Sequence, residues 1–244
     1  MKIFYLHGKI AKGMLIILAV LLIVSVIFAS IRILDNKAKS VYKGVVSEVT
    51  VIIDAGHGGV DGGAVASDGT LEKDINLSVA LKLERIMNLF GYNTLMVRTT
   101  DTLISDKDAS TIRQKKSTDL HNRAKLLQDY DNAVLISIHQ NKYTSSKYSG
   151  TQVFYSPNNE SSKLLAQSVQ DSVVNGLQPQ NNREIKQSGS EIFLLYTAQK
   201  PAIMVECGFL SNTDELTKLK DEKYQTSIAT AIFLGINQYF CKGM

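Results

Sequence analysis

Three apolar runs in this chain each end on a side chain able to do chemistry. Val49-Thr50-Val51-Ile52-Ile53 passes through Asp54 into Gly56-His57-Gly58-Gly59. Residues 133–139 (AVLISIH) end on His139, and residues 201–206 (PAIMVE) end on Glu206. A second glutamate, Glu72, opens a stretch with helical spacing. Two neutral imidazoles and one carboxylate, with a fourth position left for water, make a catalytic zinc set. The borderline-soft ion accepts nitrogen and oxygen alike, so Cys207 is not needed. No compact H-E-x-x-H fixes two ligands on one helix. The spacing therefore leaves the carboxylate open among Glu72, Glu206 and Asp54. Asp54 also suits a supporting place, accepting a hydrogen bond beside the metal site. His121 sits near a helix start and His7 in the N-terminal tail, and both read as solvated.

Such a site needs its strand ends along one edge. β-branched runs favour buried parallel strands, and strand–helix alternation implies such a sheet covered on both sides. The expected fold class is α/β, a mostly parallel or mixed sheet with helices on both faces, in a single catalytic domain. Strands are expected at 49–54, 93–98, 133–139, 150–155 and 201–206. Ile75, Val79, Leu83, Ile86 and Phe90 follow helical spacing, with Gly91 as the stop. Further helices are expected at 119–129, 160–175, 213–220 and 223–240. In the helix at 119–129, Leu120, Ala124 and Leu127 face inward. Residues 60–70 and 176–190 read as loops, and 192–195 as a short element of open type. The polar stretch 99–118, with Arg113 to Lys116, reads as a long loop offering a surface to substrate or partner.

Residues 14–31 carry no charge, while Lys2, Lys9 and Lys12 precede them. The expected organisation is a cytoplasmic basic tail at 1–13, a membrane anchor or uncleaved signal at 14–31, a linker at 32–47 and the catalytic domain at 48–244. The positive-inside rule places that domain outside the membrane. A cleaved secretory signal is the competing reading, but Ala29-Ser30-Ile31 matches an A-x-A site poorly. Three of the 27 basic residues and none of the 23 acidic ones precede the apolar run, so the formal charge of +4 falls to +1 beyond it. Nothing there calls for nucleic acid. Two cysteines, Cys207 and Cys241, make no disulfide framework.

Six ordered motifs resemble the zinc-dependent N-acetylmuramoyl-L-alanine amidases of bacterial peptidoglycan. They are Ile53-Asp54-Ala55-Gly56-His57-Gly58-Gly59, residues 71–77 (LEKDINL), Arg98-Thr99, residues 120–124 (LHNRA), residues 137–141 (SIHQN) and residues 201–212 (PAIMVECGFLSN). The resemblance implies that His57, Glu72 and His139 bind one Zn2+ per chain and that Glu206 is the catalytic acid/base. Gln140 stands where the family often has alanine, and Cys207 where another residue often follows the glutamate. The small exported size and single N-terminal apolar segment resemble the germination-specific branch acting on spore cortex. That branch implies a spore-envelope location, and a lipoprotein partner or a homodimer. Arg98, Arg123, Asn141 and Arg183 are candidates for holding substrate carboxylates or sugar oxygens. Asn76 and Asn212 are expected to tie down loop backbone. Two alternatives belong to other classes: a catalytically inactive peptidoglycan-binding protein, and a zinc-dependent sugar N-deacetylase.

Overall fold

The structure, a computed structural model, describes residues 14, 16–32 and 48–242. The chain divides into two units, Met1–Val45 and Val46–Met244. In the first unit residues 16–32 form a helix, α1, whose large apolar side chains are exposed. The expected basic tail, and the linker beyond Arg32, lie outside the described residues. Among those described, no helix is long and apolar enough to cross a membrane. A span needs roughly 20 apolar residues at about 1.5 Å each, and the described run of α1 is shorter.

The second unit runs β1 (Thr50–Ala55), α2 (Glu72–Leu89), β2 (Asn93–Met96), α3 (Ile112–Asp129), β3 (Ala133–Asn141), β4 (Gln152–Tyr155), α4 (Glu160–Gly176), β5 (Lys186–Gln187), α5 (Phe193–Thr197), β6 (Ala202–Phe209), α6 (Thr213–Lys220) and α7 (Glu222–Cys241). The strands form one sheet in the order β2-β1-β3-β6-β4-β5. β2, β1, β3 and β6 are mutually parallel. β4 runs antiparallel to β6, so the sheet is mixed. Helices α2, α4 and α7 pack on one face, while α3 and α5 pack against each other and against β3 and β6.

Strand alternation builds the site's wall. Ile52 pairs with Leu135, Asp54 with Ser137, Ser137 with Met204 and His139 with Glu206. Laterally paired residues share a face, and every second residue returns to it. Ile52, Leu135 and Met204 join Leu127 and Leu195 in a buried cluster under α3 and α5. Toward the carboxyl ends that same face turns polar, through Asp54 and Ser137 to His139 and Glu206. A run of branched residues thus fixes the strand, and its last inward position presents a reactive group.

Two expectations needed correction here. Residues 112–118 are not loop but the first turns of α3. Thr111 caps them in a capping box, accepting from the Gln114 amide while Gln114 accepts from the Thr111 amide. These turns are largely exposed, and the buried positions further along are Asp119, Arg123 and Leu127. A helix that buries an ion pair offers little apolar periodicity to read. In α2 the buried face ends at Met87, while Phe90, the cap residue, is half exposed.

Candidate active site

The first histidine owes its place to glycine. β1 extends by one bond, from the Gly56 amide to the Ile138 carbonyl at 3.1 Å, and the chain then turns sharply at His57, which has φ +63°. Left-handed backbone at a non-glycine residue is uncommon and carries a strain cost. Two buried arginines hold the turn. Arg98 donates to the carbonyls of Ala55, Gly56, Lys73 and Thr100. Arg123 donates to the carbonyls of Ala55 and His57 and to Asp54 and Asp119. Gly56 allows the closeness of the second histidine: a Cβ there would lie 2.1 Å from His139 Nε2. The rings of His57 and His139 meet edge to face at 4.9 Å.

Glu72 is the first residue of α2, where the helix N-terminus favours negative charge. Its Oε2 accepts from the Ala64 amide at 2.8 Å and stands 3.2 Å from His57 Nε2. Oε1 lies 2.9 Å from His139 Nδ1 and accepts from the Gln140 amide and Asn76. Burial alone would push this carboxyl up, but the bonds with His139 and His57 hold it well below its ordinary value. One ligand atom from each of His57, Glu72 and His139 lies within 4.8 Å of the others. Two imidazole nitrogens and one carboxylate oxygen, ringed this closely, fit zinc in donor type and number.

Asp61, four residues beyond His57 and unmarked by any sequence pattern, supports this cluster. Its Oδ2 is 2.8 Å from His57 Nδ1, and its Oδ1 is 2.9 Å from Lys116 Nζ. Holding Nδ1 leaves Nε2 for a cation, the arrangement by which carboxylates orient metal-binding imidazoles. Burial opposes a proton on His57, yet the bonds to Asp61 and Glu72 outweigh it and raise its pKa to about 9.

Glu206 stands beside His139 in register, and its Oε2 is sealed from solvent without a partner. Burial, helped by the charge of Glu72, raises its pKa to about 7 despite the opposing histidines. A carboxyl so placed can exchange a proton near neutrality. A cavity of about 440 Å³ opens at the histidines, lined by His57, Lys116, Leu120, His139, Phe193 and Met204 among others.

The remaining expectations divide. Asp54 is no ligand: its oxygens take Arg123 and Ser137. Arg98 and Arg123, candidates for substrate, are buried with their donors committed to the loop and to Asp54 and Asp119. Asn141 stands at the end of β3, its carbonyl accepting from the Leu210 amide. Arg183 is partly buried, donates to Gln152 and lies over the Phe209 ring, 4.9 Å from its centroid. His121 is exposed, with Nδ1 at 2.7 Å from the Ser117 carbonyl. Asn76 donates to the Gly56 carbonyl, and Asn212 caps α6 while donating to Ser146 and Tyr148. Gln140, often alanine in the family it resembles, donates to Asn76 and so braces the same loop. Cys207 and Cys241 are both free.

The family model for N-acetylmuramoyl-L-alanine amidase matches residues 51–238. The chain is 35% identical over 190 residues to the germination-specific N-acetylmuramoyl-L-alanine amidase of Bacillus subtilis (strain 168), covering 78% of this chain and 79% of that protein. Among solved structures it is similar to the CwlD amidase from Clostridioides difficile in complex with the GerS lipoprotein, with a TM-score of 0.76 and 39% identity, over 79% of this chain and 98% of that one. An N-acetylmuramoyl-L-alanine amidase from Clostridium difficile 630 gives a TM-score of 0.70 at 32% identity, over 80% and 98% of the two chains.

Proposed function

The chain belongs to the N-acetylmuramoyl-L-alanine amidase family, and on that premise we propose that it hydrolyses peptidoglycan with one zinc ion per chain, acting on spore cortex. The bond cut joins the lactyl carbonyl of N-acetylmuramic acid to the amine of L-alanine. The observation that carries the zinc reading is the ring of His57, Glu72 and His139 ligand atoms within 4.8 Å. Bound there, zinc would acidify water toward neutrality and polarise the amide carbonyl. The chain's own side chains do the rest. Glu206 takes the proton from the attacking water and returns it to the departing alanine nitrogen, so an amine leaves rather than an amide anion. Its raised pKa, about 7, suits both halves of that transfer. Asp61 fixes the His57 ring, and Arg98 and Arg123 hold the loop that carries it.

The cortex assignment is supported by likeness to a germination-specific relative. A lipoprotein partner is proposed because the similar CwlD amidase is in complex with one. Attachment to the outer face of a membrane through residues 14–31 belongs to the same proposal. It is supported by the apolar surface of α1.

Mass spectrometry of cortex-type peptidoglycan after incubation with the zinc-loaded protein tests this. Free stems ending in L-alanine are expected, and they should disappear when a chelator removes zinc. Acetate without stems would make the protein a sugar N-deacetylase. Binding without any product would make it an inactive peptidoglycan-binding protein.

A further inference from the structure

Beyond β3 the chain enters a loop, residues 142–150, that the reaction above leaves unused. Several bonds pin it. The Tyr143 amide donates to Ser211 Oγ at 3.1 Å, and Asn212 Nδ2 donates to the Ser146 and Tyr148 carbonyls at 2.9 and 3.3 Å. The Gly150 amide donates to Glu215 at 2.9 Å. On this fixed loop two rings stand out, Tyr143 at 55% exposure and Tyr148 at 47%. They meet edge to face, with centroids 5.0 Å apart. Tyr148 in turn stacks over Phe209 at 6.1 Å, and the Arg183 guanidinium lies over Phe209.

This row of side chains leads back to the reaction centre. Phe209 ends β6, the strand that carries Glu206. Arg183 donates to Gln152, whose backbone pairs with Glu206. Single exposed aromatics need no explanation. Two in contact on a braced loop, beginning at the strand end that bears His139, form a prepared surface. Tyrosine joins an apolar ring face to a polar hydroxyl and loses little rotamer freedom when held. A pyranose ring has the matching character, with apolar C–H faces and a polar rim. The cavity lined by the two histidines carries Lys116 and Glu191, opposite charges better suited to a charged peptide stem.

We propose that Tyr143 and Tyr148 form a saccharide-binding shelf on which the glycan strand lies while its lactyl amide rests over Glu206. This rests on the amidase reading. Calorimetric titration of the full chain, kept soluble in detergent, with a peptide-free tetrasaccharide of alternating N-acetylglucosamine and N-acetylmuramic acid tests it without turnover. The parent protein should bind. The pair Tyr143→Ala, Tyr148→Ala should bind roughly tenfold more weakly, and Tyr143→Phe, Tyr148→Phe should restore most of the affinity. In turnover the alanine pair should raise KM for long glycan strands, with kcat near the parent's, and leave KM for a single-sugar muramyl peptide unchanged. Equal tetrasaccharide affinity in parent and alanine pair, or no binding by the parent, overturns the shelf. A parent that binds the tetrasaccharide through these tyrosines but releases no stem overturns the amidase reading and leaves the shelf standing.

Discussion

His57 in the metal-free protein is an imidazole pulled toward its charged form by two carboxylates. Its pKa stands at about 9 against an ordinary 6.5. The stabilisation from that proton is complete below 6.5 and is lost as pH rises through about 9. Glu72 works with the opposite sign, contributing above its ordinary value of 4.5 and fading as pH falls. Zinc-stripped protein should therefore lose thermal stability between about pH 6.5 and 9. Zinc-loaded protein should not, because a ligating imidazole carries no such proton. Thermal scans across that range decide it, and a flat profile for the stripped form would remove His57 from the account. Asp61→Ala should weaken zinc affinity about 10–100-fold in a competition against a chelating dye, and unchanged affinity would reduce Asp61 to a loop anchor. Glu206→Gln should keep its zinc and lose roughly 10²–10⁴ in rate; loss of zinc would instead make Glu206 a ligand. His57, Glu72, His139 and Glu206 could be singled out because each lies at or near the end of a periodic element, and the structure brings the first three together. Which carboxylate joins the histidines came only from the family resemblance. Asp61 was not, because a glycine-rich loop has no period against which a carboxylate stands out.

At the scale of elements, β1, β3 and β6 could be read within a few residues, since runs of branched apolar residues have few other uses. What the runs could not disclose was the office of the polar positions on α3. Arg123 and Asp119 are spaced i, i+4 and look like a surface pair, yet both are buried. Arg123 spans from α3 to β1, pairing with Asp54. This is why an arginine expected to meet substrate is a structural tie. Arg123→Ala would leave Asp54 buried without its cation, at a cost of about 3–5 kcal/mol, read as a lower urea midpoint. Retained stability would mean that Ser137 alone satisfies Asp54. The start of α3 makes a smaller claim. Thr111→Ala removes the cap and should cost about 1 kcal/mol. It should also loosen Lys116, whose ammonium meets Asp61. A Thr111→Ala protein with parental stability would show that the capping box adds nothing in this context.

Across the whole molecule, the site draws on segments that are neighbours only through the sheet. Thr50 pairs with Ala133 and Leu135 with Ala202, and each of these parallel pairings requires a long crossover. Sheets of this kind form slowly, because chain ends far apart in sequence must meet before any contact rewards them. β3 is the keystone, lying between β1 and β6. The proposed metal ligands need only β1, α2 and β3 to be in place, whereas the proposed proton-transfer group, Glu206, waits on β6. Assembly and competence are therefore separable in time. A refolding chain should acquire the ability to capture zinc no later than the ability to hydrolyse, and it should never hydrolyse first. Stopped-flow refolding with a zinc-sensitive dye, set beside quenched activity assays, follows both events. On the proposed roles, until β6 has docked on β3 the half-built enzyme would carry a metal but could not attack the wall around it.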